Sequence, residues 1–222
     1  EAGGPRRVAL FFPLAGLLIG LLVSAVAEVF LAVTTPVVAA AACGILLPLS
    51  YAALTRFHGL SGIAKVLEVW EMPGGDPEGP HGRLYRDILL LQMLVLFKSL
   101  LVALVVYYER TLWLALVPAL SHCVWSDLLV PRAPEAPEAP GAKHQEVPLH
   151  WVFATLASLG LGLLSGSLAA GLLAPVLAYL FVVAGRTLLV ERMGSVTPPG
   201  VYAVAEKLEL LVLLVGVLFF AT

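Results

Sequence analysis

Residues 55–86 read TRFHGLSGIAKVLEVWEMPGGDPEGPHGRLYR, the longest polar run between apolar blocks in the chain. A segment this polar is not stable against hydrocarbon, so it predicts a membrane-surface connection between two apolar spans. It opens with a short amphipathic helix. Ser61, Lys65 and Glu68 stand at i, i+4 and i+7 and share one face of it. The chemistry of the chain is expected above that face.

On both sides of this stretch the sequence turns apolar. Of its 222 residues, 60% are hydrophobic and 13% charged. Soluble domains carry about 25% charged residues, so the composition predicts an all-α, polytopic membrane helix bundle. A net charge of −2 argues against a nucleic-acid partner. Crossing ~30 Å of hydrocarbon takes ~20 apolar residues. Seven runs meet or approach that length: 8–33, 36–54, 87–108, 111–130, 149–170, 172–190 and 200–221. They form one membrane domain over 1–222, and the first is too long for the core of a cleavable signal peptide. Gly16/Gly20 and Gly162/Gly166 are small residues at i, i+4 that let helix backbones approach closely. Cys43 and Cys123 lie inside apolar runs and read as buried free thiols.

The basic residues orient these spans. Arg6 and Arg7 precede the first; Arg56, Lys65, Arg83 and Arg86 lie between the second and third. Arg132 and Lys143 lie between the fourth and fifth, and Arg186 and Arg192 at the end of the sixth. Ten of the 13 Lys and Arg residues thus fall on one side, against Arg110 alone on the other. Cytoplasmic loops carry the Lys/Arg excess, which predicts a multi-pass cell-membrane protein with a cytoplasmic N-terminus and an outer C-terminus. Outer connections are short: Thr34–Thr35, Glu109–Arg110 and a turn near Gly171. Inner connections are the long loops 55–86 and 131–148. The latter, PRAPEAPEAPGAKHQEVP, reads as an extended, semi-rigid linker.

Ionisable residues within spans are costly and mark function by default. Lys98, near the middle of its span, requires a carboxylate or phosphate partner or a neutral amine. Glu206 and Glu209, at i and i+3, share a face, and for them function and structural pairing weigh equally. Asp127, Arg186 and Glu191 lie near the inner interface and read as headgroup contacts. Glu28 is the exception, toward the outer end. His58, His81, His144 and His150 read as solvated loop or boundary residues. No HExxH, CxxC, GxSxG or phosphate-loop signature is present. Basic groups and carboxylates gathered at the inner surface suit a phosphate ester or diphosphate substrate.

Four stretches carry a family resemblance. FFPLAGLLIG (11–20) matches the opening F-P-L-x-G-L-x-x-G of the cobalamin synthases, the membrane-bound adenosylcobinamide-GDP ribazoletransferases. TRFHGLSGIAKVLE (55–68) falls without gaps on T-G-G-L-H-L-D-G-L-A-D-T-A-D. Lys98 falls on a helical Lys of that family, and GSVTPPGVYAVAEKLE (194–209) on G-G-V-T-G-D-V-L-G-A-x-N-E-x-x-E. The chain departs from the pattern where D-x3-D-x2-D becomes Ser61, Lys65 and Glu68, and where the Asp of V-T-G-D becomes Pro199. The loop with Met72, Asp76 and Asp87 takes the place of M-K-D-S-R-I-G-T-F-G.

The resemblance implies transfer of a corrinoid-linked phosphate to α-ribazole or its 5′-phosphate with release of GMP. It implies Glu68, Glu206 and Glu209 as catalytic groups, and Mg²⁺ held by Glu68, Asp76, Glu206 and Glu209. Ser61, Lys65, Lys98, Arg186 and Thr197 become substrate contacts. Corrinoid nucleotide and ribazole are the implied substrates; a second copy of the chain or other cobalamin-assembly membrane enzymes are the implied partners. The lost acids at 61 and 65 also admit a catalytically degenerate homologue that binds a ligand or scaffolds other proteins.

Overall fold

The computed structural model describes the backbone of residues 4–70, 79–129 and 149–221. The described residues form eight helices: α1 (Gly4–Val33), α2 (Pro36–Leu54), α3 (His58–Trp70), α4 (Gly79–Tyr107), α5 (Trp113–Leu129), α6 (Leu149–Leu164), α7 (Leu168–Met193) and α8 (Pro198–Phe220). The seven apolar runs correspond to all of these except α3. Among the described residues, four segments are long and apolar enough to cross a membrane: Phe11–Val33, Pro36–Leu54, Arg86–Tyr107 and Leu168–Met193. They turn Leu22, Val29, Ile45, Leu96, Leu100 and Leu180 outward, an apolar surface that water does not tolerate. The fold is that of a helical membrane protein. α5 and α6 are shorter, at 17 and 16 residues, and α8 carries Glu206, Lys207 and Glu209.

Local chemistry sets the helix ends. Pro36 and Pro198 sit in the first turns of α2 and α8, where a missing N–H costs nothing. Ser167 caps α7 by accepting from the Ala170 N–H at 3.2 Å. Gly194, at φ 72°, ends that helix in the left-handed conformation. The outer turn expected near Gly171 falls instead at 165–167, and Gly171 lies within α7. Gly166 (φ 86°) belongs to that turn and is not on a helix face. The linker at 131–148 lies outside the described residues.

α5 is buried along most of its length and forms the axis of the bundle. Trp113, Leu116, Leu120 and Val124 are fully buried. α1 runs antiparallel to it: Ser24 donates to Thr111 O at 2.8 Å, and a Cβ on Gly20 or Gly16 would meet Ala115 O or Pro118 O. α8 packs on another side, where Trp113 Nε1 donates to Val212 O at 2.9 Å. α6 and α7 close through Gly162 against Gly171, and α2 meets α4 through Gly44 against Ser99 O. These registers put the short turns 34–35, 108–112 and 165–167 at one end. Arg56, Arg86, Arg186 and Arg192 gather at the other.

The connection from α2 to α3 is strained. Arg56 and Phe57 have φ of 51° and 57°, both left-handed. That conformation costs an L-residue ~1–2 kcal/mol, while glycine there loses ~0.5–1 kcal/mol to unfolded-state entropy. Phe57 is half exposed, so its ring contributes little burial. Phe57→Gly is therefore expected to raise the thermal midpoint by a few degrees, and the β-branched Phe57→Val to lower it. Unfolding both variants in detergent checks this; the reverse order would remove the strain account.

Candidate functional site

Three helices meet around one buried cation. Lys98 of α4 places Nζ 2.6 Å from Glu206 Oε1 and 2.6 Å from Glu209 Oε2, both on α8. From α2, the Tyr51 hydroxyl donates to Glu209 Oε1 at 3.1 Å. Its ring centre lies 5.4 Å from the Lys98 ammonium. Lys98 is 7% exposed and Glu209 3%. An ammonium at this depth needs compensation, and two carboxylates supply it. Gly59 lets α3 close over the cluster, because a Cβ there would lie 2.3 Å from Glu206 Oε2.

Two small cavities flank the cluster. One of about 50 Å³ is bordered by Tyr51, Lys98 and Glu209 together with Pro48, Pro118 and apolar side chains. The other, about 30 Å³, lies toward α3 and is bordered by Tyr51, Lys98, Glu206, Thr55 and Gly59. Each has room for water beside polar partners.

The residues implied as a site divide into two sets. Lys98, Glu206 and Glu209 come together. Ser61, Lys65 and Glu68 do not join them. They are exposed on α3, while Gly62, Ile63 and Val66 of the opposite face are buried against α8. Arg186 is exposed on α7. Thr197 precedes α8 without capping it, and its buried Oγ1 has no hydrogen-bond partner among the described residues. Asp76 lies outside the described residues.

Mg²⁺ does not fit at Glu206 and Glu209. The Lys98 ammonium stands between the two carboxylates, where a cation would be held. Among the described residues, no group of three or more His, Cys, Asp or Glu side chains is placed to hold a metal. Mg²⁺ asks for near-octahedral oxygen coordination, and at these two carboxylates it would have to displace the ammonium to obtain it.

Some polar residues have other roles than the sequence suggested. Asp127, read as a headgroup contact, accepts from Trp151 Nε1 at 2.6 Å and pairs with His150 Nε2 at 3.1 Å. This buried clamp ties α5 to α6, so His150 is not solvated. Glu28 accepts a hydrogen bond from the Thr111 hydroxyl, which seats α1 on α5. Tyr51 escaped sequence reasoning; the signal was a phenol hydroxyl in a largely apolar run. Cys43 and Cys123 are buried free thiols, as expected. Comparison with known proteins finds no matching family model, no matching curated protein and no matching solved structure.

Proposed function

We propose that the chain is a divergent membrane homologue of the cobalamin synthases, with seven crossings and a cytoplasmic N-terminus. In this reading it acts at the cytoplasmic face of the cell membrane as an adenosylcobinamide-GDP ribazoletransferase. The observation that carries the reading is the backbone at Arg56 and Phe57. The paired glycines of T-G-G-L-H-L-D-G fall on these two residues, and both are left-handed, the conformation that favours glycine. Further support comes from convergence: residues 55–68, Lys98 and 194–209, which carry the resemblance separately, meet around Glu206.

The exposed face of α3 is then the substrate side, and the Lys98 cluster is the buried anchor behind it. A ribose hydroxyl oxygen attacks the corrinoid-linked phosphorus. The new O–P bond forms as the P–O bond to GMP breaks, and Glu68 accepts the hydroxyl proton. Lys65 neutralises phosphate charge as a fixed cation, with Ser61 beside it. Glu206 and Glu209 serve to hold α4 on α8. No step is assigned to Mg²⁺, since the buried pair does not fit it.

Protein reconstituted with adenosylcobinamide-GDP and α-ribazole, with Mg²⁺ or Mn²⁺ supplied, is expected to release GMP. Glu68→Gln should slow release by about 100-fold or more, the scale of a lost general base. Absence of GMP release from folded protein would reject the transferase.

A second reading, a homologue that binds its ligand without turnover, has one observation in its favour. Positions that keep the family's residues, Lys98 and Glu209, are buried. Those that lost its aspartates, Ser61 and Lys65, are exposed. Such a split is what retention of scaffold and loss of chemistry would leave. Binding of adenosylcobinamide-GDP without GMP release would select it.

A further inference from the structure

We infer that the groove between α7 and α8 at the arginine-rich end binds one anionic phospholipid, with an acyl chain in the groove and the phosphate between Lys207 and Arg192. The site lies apart from the Lys98 cluster and from the outer face of α3, and it does not depend on the transferase reading.

The groove holds about 180 Å³, more than either cavity beside Lys98. Phe181, Leu188 and Leu189 of α7 and Val204 of α8 form its walls, and Val66 of α3 joins them. Two glycines set its shape. A Cβ on Gly185 would lie 2.9 Å from Val204 Cγ2, and one on Gly200 2.5 Å from Leu189 Cδ2. The two helices therefore approach closely along one seam, and the groove runs beside it. Ala184 and Leu188 on its rim are exposed, so it opens sideways, onto the lipid that surrounds a membrane span. Water does not fill an apolar space of this kind, and an empty one forfeits the dispersion contacts of its walls. A hydrocarbon chain from the bilayer restores them.

Charge decides which lipid. Among the described residues, Lys207 is the one charged side chain that lines the groove. Gly185 lies opposite Val204 and Gly200 opposite Leu189, so α7 and α8 are antiparallel. Helical Cα–Cβ bonds tilt toward the N-terminus, and Lys207 therefore leans toward the arginine-rich end. On α7, Phe181, Gly185, Leu188 and Arg192 stand at i, i+4, i+7 and i+11, one stripe. Arg192 is exposed one turn past Leu188, and the same tilt leans it back over the groove. The two cations thus converge on the groove from opposite ends. Long basic side chains lay their stems on apolar surface and carry the charge to a phosphate. Glu191, beside Arg192, adds an acid at this mouth; two cations less one carboxylate leave +1. That sign favours a phosphodiester without its own ammonium, as in phosphatidylglycerol, over phosphatidylcholine.

The test uses the full chain, stripped of lipid in a neutral detergent and titrated with phosphatidylglycerol or phosphatidylcholine of the same chains. Native mass spectrometry counts the lipid retained. One phosphatidylglycerol is expected to stay bound, about tenfold more tightly than phosphatidylcholine. Lys207→Gln should remove most of that preference. Arg192→Gln, an exposed change at a helix end, should reduce it without unfolding the protein. Ala184→Phe fills the groove from its exposed rim and should weaken retention of both lipids about tenfold, the scale of a few methylenes no longer buried. Leu180→Phe, on a neighbouring exposed face of α7, should leave retention unchanged. Glycerol 3-phosphate, a headgroup without a chain, should not compete. Equal retention of the two lipids by the wild type would overturn the proposal, and so would an Ala184→Phe protein that binds like the wild type. Competition by glycerol 3-phosphate would make this a soluble-phosphate site and overturn it too. A dimer that Ala184→Phe dissociates, with no lipid retained, would give the groove to a second copy of the chain instead.

Discussion

Replacing Lys98 by Met is expected to cost about 3–5 kcal/mol of stability, the scale of a buried charge set broken from one side. The substitution preserves shape but removes the Lys98 cation from between Glu206 and Glu209. The Glu209 side chain is 5% exposed and that of Glu206 12%, so bulk solvent does not take over, and a water in a flanking cavity brings no charge. Tyr51 still donates to Glu209, but one hydroxyl does not balance two charges. At roughly 2–4 °C per kcal/mol for a chain of this size, the thermal midpoint in detergent should fall by about 10 °C. The triple variant Lys98→Met, Glu206→Gln, Glu209→Gln should recover most of that loss, because a fully neutralised set no longer carries uncompensated charge. Among single glutamines, Glu209→Gln should cost more than Glu206→Gln. Glu209 holds two partners and is the more buried. A Lys98→Met protein that unfolds with wild-type would show that the cluster does not hold α4 on α8.

What sequence reasoning could see of this cluster follows from the physics of each residue. Lysine in mid-span must find an anion, so the need for a partner was legible. Its identity was not, because that depends on α4 lying beside α8, a neighbour relation that apolar patterning does not encode. The α3 helix was legible from the spacing of its polar face, and the spans from their length. Its orientation was legible only in part. Ser61, Lys65 and Glu68 share a face as expected, but it is Gly59 and Gly62 that bring α3 onto Glu206 and Tyr202. The polar residues therefore look outward. Asp127 was misread because position near a helix end predicts water or headgroups, whereas the fold sets His150 and Trp151 of α6 against it. The turn at 165–167 was displaced to Gly171 because both glycines lie in one apolar stretch, and only the Ser167 cap separates them.

Glycines separate close packing from open surface most sharply. Gly20→Ala is expected to destabilise the protein by about 1–3 kcal/mol, the usual cost of overpacking, whereas Gly160→Ala should stabilise it by up to ~1 kcal/mol. The chemical change is the same and the sign differs. A Cβ on Gly20 would stand 2.4 Å from Ala115 O and 2.6 Å from Ala115 Cα. Both are backbone atoms of α5 and cannot rotate away, so α1 and α5 must separate. Separation also stretches the 2.8 Å bond from Ser24 to Thr111 O and the contact of Glu28 with the Thr111 hydroxyl. At Gly160 nothing among the described residues lies within 4 Å of the added carbon, so what is left is the better helix propensity of alanine. Gly20→Leu, with a larger side chain aimed at the same backbone, should exceed the alanine cost at about 3 kcal/mol or more. Thermal unfolding of the three variants in one detergent decides it. A Gly20→Ala midpoint at or above that of Gly160→Ala would mean that α1 does not pack on α5 at this register, and the bundle axis would have to be redrawn.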